Sequence, residues 1–312
     1  MQKRVNCLAV VSVLVLLAGT ASVFAQEMTC TDCHDDTTLI TGKQTGLSEA
    51  VHGTGDAYVR GRSASCAGCH SGGAFSKMIA AGLSPNQVEA GDPNPTRQDC
   101  RTCHQIHVNY TSDDWALETT DAVTLYAFEG VTFDGGDGNL CANCHQPRRT
   151  LAEADADGNI AVTSTHWGPH HGPQSAMVLG QGGSSKGNAG IHSILVKDTC
   201  VTCHVGANGS HTFHAVEDSC LDCHQDADGF DIGGVQTKVA ELIAEVGDLL
   251  MAKGLLDGDE EHGYHPVVGV YPAAEASALW DYIFIAIEDG SLGVHNADYT
   301  IDLLEAAKAA LQ

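Results

Sequence analysis

Apolar residues are spread very unevenly along the 312-residue chain. Lys3 and Arg4 precede an apolar run over 5–18, and small residues then lead to Val23-Phe24-Ala25. This is the pattern of a secretory signal peptide cut after Ala25, since the run is too short for a comfortable membrane span and carries charge on its N-terminal side only. Between 26 and 232 there is no sustained helical period. Short alternating runs at 123–133 and 159–164 predict small strands that could pair as a hairpin, and glycine-rich stretches at 136–139 and 180–190 predict loops. After His224 the pattern changes. Val235, Val239, Leu242, Ile243, Val246, Leu249 and Leu250 recur at helical spacing up to Gly254. A second helix is predicted over 274–289, with Leu279, Trp280, Ile283, Phe284 and Ile287 on one face. A third follows Asn296, a favourable N-cap, with Leu303, Leu304, Ala307 and Leu311. The division expected is therefore a signal peptide at 1–25, a loop-rich region at 26–232 and a helical C-terminal region at 233–312. The class is mainly α with extensive irregular loops and little β.

The loop-rich region carries the chemistry. One five-residue pattern recurs at Cys30-Cys33-His34, Cys66-Cys69-His70, Cys100-Cys103-His104, Cys141-Cys144-His145, Cys200-Cys203-His204 and Cys220-Cys223-His224. Read as cysteine pairs alone, the last two have the spacing of a four-cysteine zinc site. Zinc does not require the histidines, however. With 17 histidines in 312 residues, chance would follow all six pairs with histidine at a probability of about 10⁻⁸. Disulfides would not demand the histidines either. CxxCH is the haem-attachment signal: two thiols on one side of a helical turn add to the two vinyl groups of one haem, and the adjacent imidazole lies under the iron. Six covalently bound haem c groups are the expected cofactors, with His34, His70, His104, His145, His204 and His224 as proximal ligands.

Cleavage after Ala25 removes Cys7 and leaves twelve cysteines, all within the motifs, so no thiol remains for nucleophilic or redox catalysis. Thr20 stands where a lipoprotein signal would need cysteine, and no membrane anchor is expected. Cleavage also leaves 13 basic against 40 acidic side chains, a charge of −27 that disfavours nucleic acid and anionic lipid and suits basic redox partners. Aromatic residues are only 5% of the chain. So few large apolar groups per motif predict that the porphyrins themselves form the core, and that folding waits for haem attachment. Asp155, Asp157 and Asn159 begin like a calcium loop but lack the glycine and the acid that complete one, leaving calcium as a minor candidate cofactor.

Eleven histidines remain for the second axial positions: His52, His107, His166, His170, His171, His192, His211, His214, His262, His265 and His295. There are enough for every iron to be bis-histidine. In THWGPHHGPQ, His170 or His171 is favoured with His166 behind, and His192 is a further candidate. His214, His262 and His265 read as propionate partners or surface residues. Arg148 and Arg149, directly after a motif, suit salt bridges to propionates.

The repeated CxxCH motifs with interleaved histidines resemble the multihaem cytochromes c of anaerobic respiration over about 26–232, and the fold this implies is one organised around its haems. GVHN at 293–296, after Trp280-Asp281-Tyr282, is similar to the closing segment of pentahaem ammonia-forming nitrite reductases and their relatives, although Ala297 stands where that family often has proline. The resemblance implies distal roles for His295, for His52 in SEAVHG, for His107 in CHQIH and for His211 in HTF. His107, so close to His104, would serve a neighbouring haem.

The function expected is that of an exported six-haem electron carrier, periplasmic or extracellular, in anaerobic or extracellular respiration. Its partners would be a periplasmic donor and an extracellular or outer-membrane acceptor. A sharper version has subunits self-assembling into filaments of the kind formed by extracellular cytochromes. The alternative is a reductase of nitrite, hydroxylamine or a sulfur oxyanion, which needs one open iron. No CxxCK motif, often the mark of the nitrite reductases, occurs here.

Overall fold

The computed structural model describes residues 38–312; the expected signal peptide and the Cys30-Cys33-His34 motif lie outside them. The described residues open with α1 (Thr38–Glu49) and the single turn α2 (Val51–Thr54). It continues through short helices joined by long loops: α3 (Ala64–His70), α4 (Gly72–Ala80), α5 (Cys100–Cys103), α6 (Asn139–Ala142), α7 (Gln174–Val178), α8 (Ile191–Leu195) and α9 (Cys200–His204). Three longer helical segments follow: α10 (Val235–Ala252), α11 (Ala273–Tyr282), which runs on as a π-helix over Ile283–Asp289, and α12 (Ala297–Leu311). Asn296 caps α12, its side-chain oxygen accepting the Tyr299 N–H at 3.4 Å. The architecture is mainly helical with little strand, as the periodicity implies.

The strands are short antiparallel pairs. The first alternating run, expected as one strand, holds two: β1 (Val123–Thr124) and β2 (Thr132–Phe133) pair with each other as a small hairpin. β3 (Asn159–Val162) does not pair with either. It pairs with β6 (Gly269–Pro272), Ile160 opposite Tyr271, and so ties the loop-rich region to the C-terminal one. A second hairpin, β4 (Leu256–Asp259) with β5 (Gly263–Pro266), lies within the segment expected to be helical. Residues 257–263 hold four acids and two glycines, a composition that favours turn and edge strand over helix.

The expectation that porphyrins alone make the core needs correction. α10, α11 and α12 pack with β3 around a conventional apolar core that includes Val246, Leu250, Leu279, Phe284, Leu303 and Leu304, all at most 1% exposed. Trp167, from the loop-rich region, packs edge-on against Trp280 with ring centroids 5.0 Å apart. Few aromatics suffice because they are concentrated here. Smaller clusters around Leu125 and Phe133, and around Phe75 and Met78, lie beside the motifs.

The glycine-rich loop at 180–190 is pinned across these helices. Trp280 Nε1 donates to Gly182 O at 2.7 Å, Asp281 accepts from the Ser184 N–H at 2.6 Å, and Tyr299 OH donates to Ser185 O at 2.6 Å. A Cβ on Gly187 would lie 2.4 Å from Tyr299 Cδ2, so the close approach requires glycine there. Gly187→Ala is therefore expected to destabilise the protein by about 1–3 kcal/mol through overpacking. Gly42→Ala, inside α1 with open space around it, should be neutral or slightly stabilising. Thermal unfolding of the two variants checks this.

Candidate haem-binding sites

Each described motif is wound into a helical turn, which puts residues three and four apart on one face. The turn is closed by a backbone bond from the motif histidine to its first cysteine: His104 N–H to Cys100 O at 2.8 Å, His145 to Cys141 at 2.9 Å and His224 to Cys220 at 2.8 Å. Asp99 caps α5, accepting from the N–H groups of Arg101 and Thr102. These local signals direct both sulfurs and the imidazole of a motif to one side.

Every motif histidine in the described residues faces one other histidine. His145 faces His52, His70 faces His170, His104 faces His211, His204 faces His295, and His224 faces His192, with ring centroids 5.9–6.4 Å apart. Two metal–nitrogen bonds of about 2 Å each, drawn from facing imidazoles, set ring centroids roughly 6 Å apart. The partners come from other elements: His52 from the turn α2, His192 from α8, and His170, His211 and His295 from loops. His70 ends α3, and His170 lies in a loop where it adopts a left-handed backbone at φ 83°.

The second nitrogen of many of these rings is already engaged. Nδ1 of His104 bonds to Trp115 O (2.7 Å), that of His204 to Phe213 O (2.9 Å), that of His211 to Gly209 O (2.9 Å), that of His192 to Val294 O (2.8 Å) and that of His145 to Gln174 Oε1 (2.9 Å). Such bonds fix the tautomer and leave Nε2 for a metal. Desolvation, then the nearby His145, lowers His52 to about 4; desolvation, then Arg148, lowers His170 to about 4. Desolvation also pulls His70, His145 and His211 below the ordinary histidine value. All five are thus neutral at pH 7, the form that binds iron.

The surroundings fit porphyrins. A cavity of about 500 Å³ is lined by Cys66, Cys69 and His70 of one motif, Cys144 and His145 of another, and both facing histidines, His52 and His170. Large apolar side chains stand uncovered directly beside two of the partner histidines: Val51 is 80% exposed and Ile191 60%. Exposed apolar flanks of this kind are what the faces of a porphyrin would bury. The motifs also adjoin one another. Cys69 Sγ lies 4.0 Å from Asn143 O, inside the next motif but one, and Cys200 Sγ lies 4.0 Å from Gly138 O, just before the Cys141 motif.

Residues 17–114, which hold three of the six motifs, match the family described as cytochrome c7 and related cytochrome c. With the three further CxxCH motifs beyond them, the chain is similar to the multihaem c-type cytochromes. That family implies covalently bound haem c and suggests electron transfer. No curated protein matches the chain. Among solved structures it is similar to the outer cell wall cytochrome OcwA, at 21% identity over 86% of this chain and 50% of that one, with a TM-score of 0.49. It is also similar to an undecaheme cytochrome from the S-layer of Carboxydothermus ferrireducens, at 20% identity over 85% and 40% of the two chains, with a TM-score of 0.45. The chain thus spans half or less of the length of these two proteins. Among its described residues no helix is long and apolar enough to cross a membrane.

The other histidines named from sequence fall elsewhere in the chain. His171 lies beside His170 but turns its Nδ1 to Glu288, at 2.8 Å. His166 and His265, both exposed, meet edge-on at 5.9 Å without a neighbouring cysteine pair. His262 pairs with Asp259 on the surface. His107, in a left-handed turn at φ 65°, stacks on Tyr110, and its N–H donates to Asp114 Oδ2 at 2.8 Å. Arg148 lines the cavity between two motifs, whereas Arg149 lines a separate one beside Trp167. Asp155 Oδ1 accepts the N–H groups of Asp157 and Asn159 at 2.9 Å, closing the turn into β3. No group of three or more metal-binding side chains occurs there or elsewhere among the described residues.

Sequence reasoning missed the residues that hold the imidazoles. The π-helical end of α11 is the main one. Carbonyls of Glu288 and Asp289 accept from Gln174 Nε2, at 3.1 and 3.4 Å, which orients the Gln174 oxygen toward His145. The Asp289 side chain accepts from His295. A π-helix is rare and concentrates at functional sites; an acid followed by Gly290, six positions before His295, was the available signal. The contrast between His170 and His171 has a direct consequence. His170→Ala should turn one ferric haem per chain high-spin, and His171→Ala should leave the spin state unchanged, as read by low-temperature electron paramagnetic resonance.

Proposed function

We propose that the protein is an exported six-haem c-type cytochrome that carries electrons between redox partners in anaerobic or extracellular respiration, with two histidines on each iron. The observation that carries this reading is the set of facing pairs: five of five described motif histidines meet a different second histidine at 5.9–6.4 Å. The distal ligands are accordingly His52, His170, His211, His295 and His192, for the motifs of His145, His70, His104, His204 and His224. His107 is assigned to His34, whose motif lies outside the described residues.

Haem c supplies the one-electron Fe(III)/Fe(II) couple. The chain's own part is to attach, cap, bury and space it. Twelve cysteines make the attachments, and backbone carbonyls hold the imidazoles in one tautomer. The close approach of Cys69 to the Cys144 motif, and of Cys200 to the Cys141 motif, supports an order of sites that departs from the order of the sequence. A reductase needs an iron with an open position. None of the five described pairs leaves one, which favours the carrier. None of these five pairs needs a histidine donated by another subunit.

Export is supported by the leader pattern at 1–25, and basic redox partners by the excess of acid. Intact mass and coulometric titration test the proposal together. Six haems and six electrons per chain are expected, without binding of cyanide to the ferric protein. Fewer haems, or one that binds cyanide rapidly, would overturn it.

A further inference from the structure

Among the described histidine pairs, one ring is backed by a carboxylate where the others meet carbonyl or amide oxygens or no side chain. Nδ1 of His295 lies 2.7 Å from Asp289 Oδ1, and the Asp289 side chain is 1% exposed. Oδ2 of the same carboxylate accepts the Ser291 hydroxyl at 2.5 Å and the Ser291 N–H at 3.2 Å. The turn that creates this contact runs through Gly290, Leu292 and Gly293, all with left-handed backbone. Leu292, a residue with a side chain, is strained in that conformation, and such strain persists where the surroundings hold the backbone in place. The π-helix that ends at Asp289 fixes one side of the turn and the capped start of α12 fixes the other.

A hydrogen bond to a buried carboxylate is stronger than one to a neutral oxygen, and it draws the Nδ1 proton away from the ring. The ring then donates more electron density through Nε2, which stabilises Fe(III) over Fe(II). We propose that Asp289 is a positioning residue that makes His295 the most electron-donating axial ligand of the described sites, so that the haem of Cys200 and Cys203 has the lowest reduction potential among them. This rests on the pairing of His204 with His295 in the preceding section. Electrons would then cross this site only in passing and settle on its neighbours, an internal step in the path.

The experiment uses the haem-loaded protein and spectroelectrochemistry, with electron paramagnetic resonance of the ferric state alongside. Asp289→Asn should move one midpoint upward, raising the reduced-to-oxidised ratio of that haem about tenfold at fixed potential, or 59 mV for one electron. The low-spin g values of one haem should shift with it, and Asp289→Glu should restore both. Ser291→Ala, which frees Oδ2 and strengthens the bond to His295, should move the same midpoint downward; it keeps the test open should Asp289→Asn fail to mature. Midpoints that stay in place in both Asp289→Asn and Ser291→Ala, while His295→Ala gives one high-spin haem, would overturn the proposal and leave the pairing intact. A His295→Ala protein that remains wholly low-spin would overturn the pairing and the proposal together.

Discussion

The interaction on which the rest of the structure depends is the meeting of two imidazoles across a gap wide enough for one iron. A CxxCH motif brings its own histidine, and local helical turns suffice for that. The second histidine must come from elsewhere: His145 meets His52, His70 meets His170, His104 meets His211 and His204 meets His295. Each of these contacts closes a loop on the order of a hundred residues, and the entropy of closing it must be offset by bonds made at the far end. On the proposed reading, metal–ligand bonds and porphyrin burial would do so in a chain whose middle region has few apolar side chains of its own. Long loops and short helices follow from that balance.

The C-terminal helices complete the arrangement. They have a conventional core, and they use it as an anchor for parts of the sites that would otherwise be loosely held. Tyr299, Trp280 and Asp281 clamp the 180–190 loop, which leads directly to His192. The π-helical end of α11 supports His145 through Gln174 and His295 through Asp289. A π-helix carries its last carbonyls and side chains away from the direction an α-helix would give them. Here the displaced groups are the ones that touch the imidazoles.

Much of this was legible in the sequence, because CxxCH is a covalent requirement with fixed spacing and the C-terminal helices repeat their apolar positions regularly. Candidate partner histidines could also be named, but the sequence pattern alone could not choose between His170 and His171, which share a local environment until Glu288 arrives from more than a hundred residues away. The pairing of β3 with β6 was hidden for the same reason: a four-residue alternating run says nothing about which distant strand it will meet. Residues acting behind the ligands, Gln174 and Asp289 among them, carry no motif, since their role depends on where a turn or a π-helix points them. The expectation of a core made of porphyrin failed because an average aromatic content conceals the local concentration of Trp167, Trp280, Phe284 and Tyr299.

The central claim is that every iron is capped by two histidines of the same chain. Magnetic circular dichroism of the purified ferric protein in the near infrared tests it most directly. The account predicts only the charge-transfer band of low-spin bis-imidazole haem, with an intensity corresponding to six haems per chain; a high-spin component amounting to one haem, or a band from another axial ligand, would contradict it.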